Sequence, residues 1–207
     1  MHLKNIIFFL LFFSSHSLCS QELTASVLPY KKNLKEKILQ GEIFAESKVK
    51  SVPDPSGKDK KDLQDLKFSI AGVHEKTCDY VLKKLSRYED YSKFLDFVKK
   101  SQYSDQTGEI NFLLSHTLLP YDMGLVFKLP RITKTGVYPF IFERGILTNL
   151  RGNIHVIDHK NRCLFYTTAE WSGTHTGFPN LVFEFFSQSL AKLAMERLFR
   201  LSSTLSH

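Results

Sequence analysis

Histidine and cysteine are the residues here whose types could do chemistry, and their spacings invite three readings. His74 and Cys78 stand four apart. On a helix that spacing puts an imidazole and a thiol on one face, where the base could draw out a thiolate nucleophile. Cys78 also opens the apolar series Cys78, Val81, Leu82, Leu85, which marks it as a buried and inert thiol. His155, Asp158, His159 and His175 offer two imidazoles, a carboxylate and a third imidazole to a zinc ion. Along a strand, however, positions four apart are separated by about 13 Å of rise. Residues 158–161 read as a hairpin turn, so no metal set is predicted. His116 lies in phase with Ile110, Phe112, Leu114 and Leu118. It can orient the polar head of a ligand or serve as a hydrogen-bonded core histidine. With Tyr121 it is the pair a proton-moving enzyme would use. The chain contains no nucleophile-elbow glycine pattern, no phosphate loop and no paired-metal motif, and no cofactor is implied.

Rings are abundant where reactive groups are sparse. The 207 residues include 18 Phe against 8 Tyr and 1 Trp. Phenylalanine brings ring area without a hydrogen-bonding handle, so the surplus points to a large dry interior or an apolar pocket. Lys and Arg outnumber Asp and Glu by 28 to 21, a net charge of +7 that favours anionic partners. Nucleic acid is not the partner expected. The lysines at 58, 60 and 61 alternate with Asp59 and Asp62, and no arginine cluster stands beside exposed aromatics. A loose attraction to an anionic membrane surface fits the same charge.

Residues 1–20 carry a basic start, an uninterrupted apolar run at 6–13 and a small, polar close, which is the layout of a secretory signal. Cleavage near Cys19 or Ser20 is expected; acylation at Cys19 is disfavoured by His16 and Leu18. Removing the segment takes away one lysine and four phenylalanines and leaves 187 residues, 14 Phe and a charge of +6. The mature protein is therefore expected to be exported, periplasmic or secreted. Cys78 and Cys163 remain, either bridged or buried as small apolar residues.

The elements that position these residues follow from periodicity. Residues 31–39 read as a helix ended by Gly41, and 42–52 alternate as a strand. A charged, proline-containing loop spans 52–62, and Leu66, Phe68 and Ile70 mark a second strand. From His74 the apolar spacing becomes helical up to Tyr88, and a short helical piece follows at 89–94. Residues 97–103 and then 109–171 read as consecutive strands. Strands are expected at 137–142, 146–157 and 162–171, with turns suggested by Thr135-Gly136, Arg151-Gly152 and 158–161. After Gly177-Phe178-Pro179 the stretch 180–201 lacks proline and glycine and repeats apolar residues at helical spacing. It is the one element long enough to cover the apolar face of such a sheet.

The stretch AGVHEKTCDYVLKKLSRYEDYSKFLDFVKKSQY at 71–103, the RGNIHVID segment with the strand to Trp171, and the helix after Gly177-Phe178-Pro179 together resemble the START-like (polyketide cyclase/dehydrase, SRPBCC) superfamily. The resemblance covers residues 66–201. It implies an α+β helix-grip fold: a curved antiparallel β-sheet wrapped around a long C-terminal α-helix, with short helices after the first strands. It divides the chain into a signal at 1–20, a lead-in with an extra strand and loop at 21–65, and a helix-grip domain at 66–207. It also implies an apolar ligand held between sheet and helix. The candidate lining is Phe112, His116, Met123, Leu125, Phe127, Phe140, Phe142, Trp171, Phe183, Phe186 and Leu190. Glu143-Arg144 and Arg151, near the expected pocket mouth, could receive an acidic head group or pair on the surface.

Three functions are compatible with these residues. A monomeric carrier of a lipid, quinone or similar molecule, touching membranes transiently, needs only the apolar interior. A cyclase/aromatase-type enzyme would add proton movement by His116 and Tyr121. An envelope interaction module would have the same fold with its core filled. The first accords best with a large apolar interior and no converging set of reactive groups.

Overall fold

The computed structural model describes residues 27–53, 63–115 and 122–204. The signal segment, most of the charged loop at 52–62, and both His116 and Tyr121 lie outside the described residues.

Helix α1 (Lys32–Leu39) leads into β1 (Phe44–Val52). Gly41 makes the turn with a φ of +110°, a left-handed conformation that a residue without Cβ adopts at little cost. Strand β2 (Leu63–His74) pairs antiparallel with β1 and, on its other side, with β8 (Arg162–Thr174). Between them in sequence come α2 (Cys78–Leu85), a 3-10 turn (Tyr88–Asp90), α3 (Tyr91–Phe94), β3 (Val98–Ser104), β4 (Glu109–Leu114), β5 (Met123–Lys128), β6 (Gly136–Arg144) and β7 (Arg151–His159). Helix α4 (Asn180–Thr204) closes the chain. The strands form one antiparallel sheet in the order β1-β2-β8-β7-β6-β5-β4-β3, curved around α4 as the helix-grip reading anticipates. At 1.5 Å per residue the 25 residues of α4 extend about 38 Å.

Two expectations need correction. His74 does not begin a helix. It is the last residue of β2, opposite Cys163, and the helix starts only at Cys78, so the two do not share a helical face. The spacing was misleading because residues 70–74 are buried on both sides of the sheet, which erases the alternation that marks a strand. Second, Arg151-Gly152 is not a turn. The chain reverses at Gly145 (φ +116°) and Asn149 (φ +71°), and Arg151 and Gly152 pair with Glu170 and Ala169 inside β7. Gly152 is needed there for close approach, since a Cβ would run into the Thr168 carbonyl and the Phe140 ring. The expected turn at 158–161 does form: Lys160 and Asn161 both have positive φ, and His159 pairs with Arg162 across a two-residue hairpin.

Both sheet faces are covered in part. On the convex face α1 packs over Ala71, Val73, Leu164 and Tyr166, burying Ile38 and Leu28. On the concave face α2 closes one end, the base, with Val81 and Leu82 against Ile110, Val156 and Phe165. Cys78 and Cys163 are bridged, with Cα atoms 4.6 Å apart and a sequence separation of 85. The bridge fastens α2 to β8; closing a loop of this length stabilises by roughly 4–5 kcal/mol in the chain-entropy picture.

Candidate functional site

Strand register decides which side chains face α4. Phe112 stands opposite Leu125, Met123 opposite Leu114, and Phe127 opposite both Ile110 and Phe142. Phe140 faces Gly152, which faces Ala169, and Trp171 faces Leu66. The seven described strand residues of the expected lining, from Phe112 to Trp171, therefore share the concave face. Phe183, Phe186 and Leu190 lie on α4.

The helix is not centred over this wall. It packs on β1 and β2 and against α2 and α3. Gly72 lets it descend: a Cβ there would meet Met195 Sδ at 2.9 Å and Phe199 Cε2 at 3.2 Å. Along β1 the free strand edge is satisfied by the helix. Val49 N–H donates to Glu184 Oε1 (2.7 Å) and Gln188 Nε2 donates to the Ser47 carbonyl (3.3 Å). The start of α4 is held by Gln64, a fully buried amide. Its Nε2 donates to the Phe178 carbonyl (3.0 Å) and Asn180 Oδ1 (2.9 Å), and its Oε1 accepts from the Thr176 N–H and hydroxyl (both 2.8 Å).

With α4 seated over β1 and β2, a ring ladder crosses the opposite side of the concave face. Tyr91 stacks on Phe112 (5.8 Å, 28°), Phe112 meets Phe127 edge-on (5.4 Å), and Phe127 stacks on Phe142 (4.9 Å, 21°), with Phe140 tilted beside it (6.1 Å). Phe112, Phe127, Phe140 and Phe142 are all half-buried, whereas Ile110, Val156 and Val81 at the base are fully buried. Met123, Phe186 and Leu190 are likewise half-buried; Leu125, Trp171 and Phe183 are buried. Trp171 ends the ladder's far side. Its Nε1 donates to the Thr148 carbonyl (3.0 Å), and its ring meets Phe183 edge-on at 5.9 Å.

The polar groups beside the ladder are already committed. The Tyr91 hydroxyl donates to the Leu85 carbonyl (2.6 Å); that of Tyr88 donates to the Pro130 carbonyl (3.2 Å) and accepts from Ile132 N–H (3.1 Å). Burial raises both phenols well above the ordinary tyrosine range, so they stay neutral. What this wall presents is ring faces, an arrangement suited to binding apolar surface.

The other candidates are dispersed. His155 lies on the convex face, its ring 5.5 Å from Tyr166, and burial lowers its basicity. His159 stands at the β7–β8 hairpin, and His175 Nδ1 accepts from the Gly177 N–H (3.0 Å). Among the described residues no three His, Cys, Asp or Glu side chains come together as a metal site. Glu143 pairs with Lys128 (2.6 Å) and Arg144 with Glu109 (3.7 Å), and Arg151 stands opposite Glu170.

Two features escaped the sequence reading. A cleft of about 490 Å³ opens where the chain leaves β5, bordered by Tyr103, Arg131, Pro130, Pro139, Phe140 and Ile141. Of the expected lining residues that are described, only Phe140 reaches it. The other is an apolar patch at the start of α4, where Leu181, Val182 and Phe185 are 78%, 38% and 61% exposed. The run of apolar residues there was legible; its outward orientation was not, because apolar residues take nearly every direction around those two turns, Glu184 excepted.

No family model matches the chain, and no curated protein does. Solved structures do. The ZhuI aromatase/cyclase from Streptomyces sp. R1128 is similar over 66% of this chain and 93% of its own, with 9% identity and a TM-score of 0.55. A START superfamily protein from Mycobacterium smegmatis is similar over 68% and 99%, at 7% identity and a TM-score of 0.55. Truncated norcoclaurine synthase from Thalictrum flavum is similar over 69% and 96%, at 13% identity and a TM-score of 0.52. At these identities the likeness establishes the helix-grip fold.

Proposed function

We propose that this protein is an exported carrier that holds an apolar molecule, a lipid, a quinone or a similar compound, between α4 and the ring ladder of β4–β6, without transforming it. One observation carries the reading. Phe112, Phe127, Phe140 and Phe142 remain half-buried on the concave face of a sheet whose base is fully packed. Large rings left partly uncovered inside a grip are apolar surface awaiting a partner. The expected lining residues are then contacts to the ligand, with Trp171 and Phe183 closing one side. Export is supported by the apolar run at residues 6–13 and by the Cys78–Cys163 bridge, which persists in an oxidising compartment.

The fold is shared with a cyclase and a synthase as well as with a START protein, so binding and catalysis are the alternatives to separate. Committed tyrosine hydroxyls and the absence of a free acid–base pair among the described residues of the ladder favour binding. Leu181, Val182 and Phe185 lie at the end of the grip where β1, β6 and β8 finish, and there they would meet the bilayer that supplies the cargo. No helix of the described residues is long and apolar enough to cross a membrane, so contact would be at the surface.

Native mass spectrometry of the mature protein is expected to reveal a co-purified apolar molecule, released intact on denaturation. An uncharged fluorescent probe should compete with it. Protein that carries no such molecule and binds no apolar probe would overturn the reading.

A further inference from the structure

At the far end of α4, beside the Arg197–Asp96 ion pair (2.8 Å) and the packing of Met195 and Phe199 on the base, the last turn meets one buried imidazole. His74, 1% exposed at the end of β2, lies against the last turn of the helix with its ring edge-on to Phe199 at 5.1 Å. Its Nε2 stands 3.1 Å from the Phe199 carbonyl, 2.9 Å from Ser202 Oγ and 3.2 Å from Ser203 Oγ. Its Nδ1 accepts the Lys76 N–H at 3.0 Å. The tautomer follows from the partners. Nδ1 faces a backbone donor, so it carries no proton, and Nε2 is the N–H. Both serine hydroxyls donate back along the helix, Ser202 to the Leu198 carbonyl (2.9 Å) and Ser203 to the Phe199 carbonyl (3.0 Å), leaving their oxygens to receive the Nε2–H. A second ring proton would set Nδ1–H against the Lys76 N–H, donor facing donor, and break that hydrogen bond.

The neighbours offer no compensation. The charged groups that act on the ring are Glu75 and Lys76, opposite in sign and on its own segment. Among the described residues of α4 it meets the Phe199 carbonyl and ring and the two hydroxyls; Glu196 and Arg200 on that helix are exposed. From β8 its cross-strand partner is Cys163, bridged to Cys78 of α2, and neither titrates. Arg162 is turned away, donating to the Leu39 carbonyl (2.7 Å).

We propose that His74 is an acid-sensitive latch, which pins the C-terminal turn of α4 to the base of the grip while neutral and releases it when protonated. Because α4 forms one side of the proposed ligand groove, the latch would let acid loosen the grip on the cargo; that consequence rests on the carrier reading, whereas the latch itself does not. Burial holds the ring below the ordinary histidine range. The sign follows: the folded state resists a proton that the opened state takes at about pH 6.5, so the latch is fully closed above that pH and weakens below it.

The test is hydrogen exchange of residues 199–204 in the mature protein between pH 7.5 and 5, corrected for intrinsic rates. The opening constant of wild-type α4 is expected to rise as pH falls below 6.5, by at most about thirtyfold at pH 5, one proton giving at most a tenfold change per pH unit. In His74→Gln, which keeps a donor for the Phe199 carbonyl and cannot titrate, the rise should vanish. The double change Ser202→Ala/Ser203→Ala should raise opening at every pH and keep its pH dependence. The same rise in His74→Gln as in wild type would overturn the proposal. Should His74→Gln not fold, an NMR titration of wild type decides. A His74 ring that titrates at or above pH 6.5 with α4 protection unchanged overturns the latch; one that titrates lower, in step with loss of protection, supports it. A pH-dependent latch with no apolar cargo would leave this inference standing and remove the carrier.

Discussion

The two halves of the concave face are built from the same kinds of residue and packed differently. At the base, α2, β4, β7 and β8 bring Val81, Ile110, Val156 and Phe165 together without exposed surface, and a disulfide fastens the arrangement. Toward the other end, the rings of β4–β6 stack on one another and stay half-buried, while α4 rests chiefly on β1 and β2. Apolar composition does not by itself decide whether an interior is full. The placement of the covering helix does, and that placement is fixed by polar contacts: Glu184 and Gln188 on the β1 edge, Gln64 at the start of α4, and His74 at its end.

The contrast yields predictions of decreasing size. Cys78→Ser with Cys163→Ser removes an 85-residue loop constraint at the base and should lower stability by about 4 kcal/mol, read from urea denaturation without reductant. Ile110→Ala, which opens a cavity in the packed half, should cost about 3 kcal/mol. Phe127→Ala in the half-buried ladder should cost about half as much despite losing more atoms, with a marked loss of probe binding. Equal costs at the two sites would end the distinction between full and open halves. Phe127→Trp should bind the apolar probe at least tenfold more weakly while stability changes by less than about 1.5 kcal/mol, the range of tolerated swaps in uncrowded apolar sites.

Asp90 provides a smaller check at the base, where Arg87 (2.6 Å) and Lys93 (2.7 Å) flank its nearly buried carboxylate. The Lys93 hydrogen bond, aided by the charges of Arg87 and Lys93, holds its pKa below the ordinary 3.8 against the opposing effect of burial. A depressed acid contributes stability above its unfolded pKa and loses it as pH falls through the folded value. Asp90→Asn should therefore cost about 1 kcal/mol at pH 7, with wild type and variant converging below pH 3.8. Smallest in stability, within about 0.5 kcal/mol, should be Leu181→Ser with Phe185→Ser, because both side chains already face water. Their effect should appear instead in sedimentation with anionic vesicles, which the double variant should reduce.

Much of this was legible along the chain. The order of elements follows from periods of two and 3.6 and from the long proline- and glycine-free terminus, while the helix-grip architecture and the expected lining were what the START-like resemblance implied. Legibility failed where burial is two-sided or where a glycine serves close approach. Residues 70–74 lost their alternation under α1 and α4 together, so His74 passed for helical; Gly152 looked like a turn and is a contact between strands. The bridge of Cys78 to Cys163 needed a distance that spacing cannot supply.

Sequence alone determined that rings would dominate one interface between a sheet and a terminal helix, since strand alternation assigns every second residue to one face. Only the tertiary structure decided that this interface is fully buried at one end and half-buried at the other. That choice depends on where a 25-residue helix comes to rest, and long-range hydrogen bonds between residues more than a hundred positions apart, Val49 with Glu184 and His74 with Phe199, set it there.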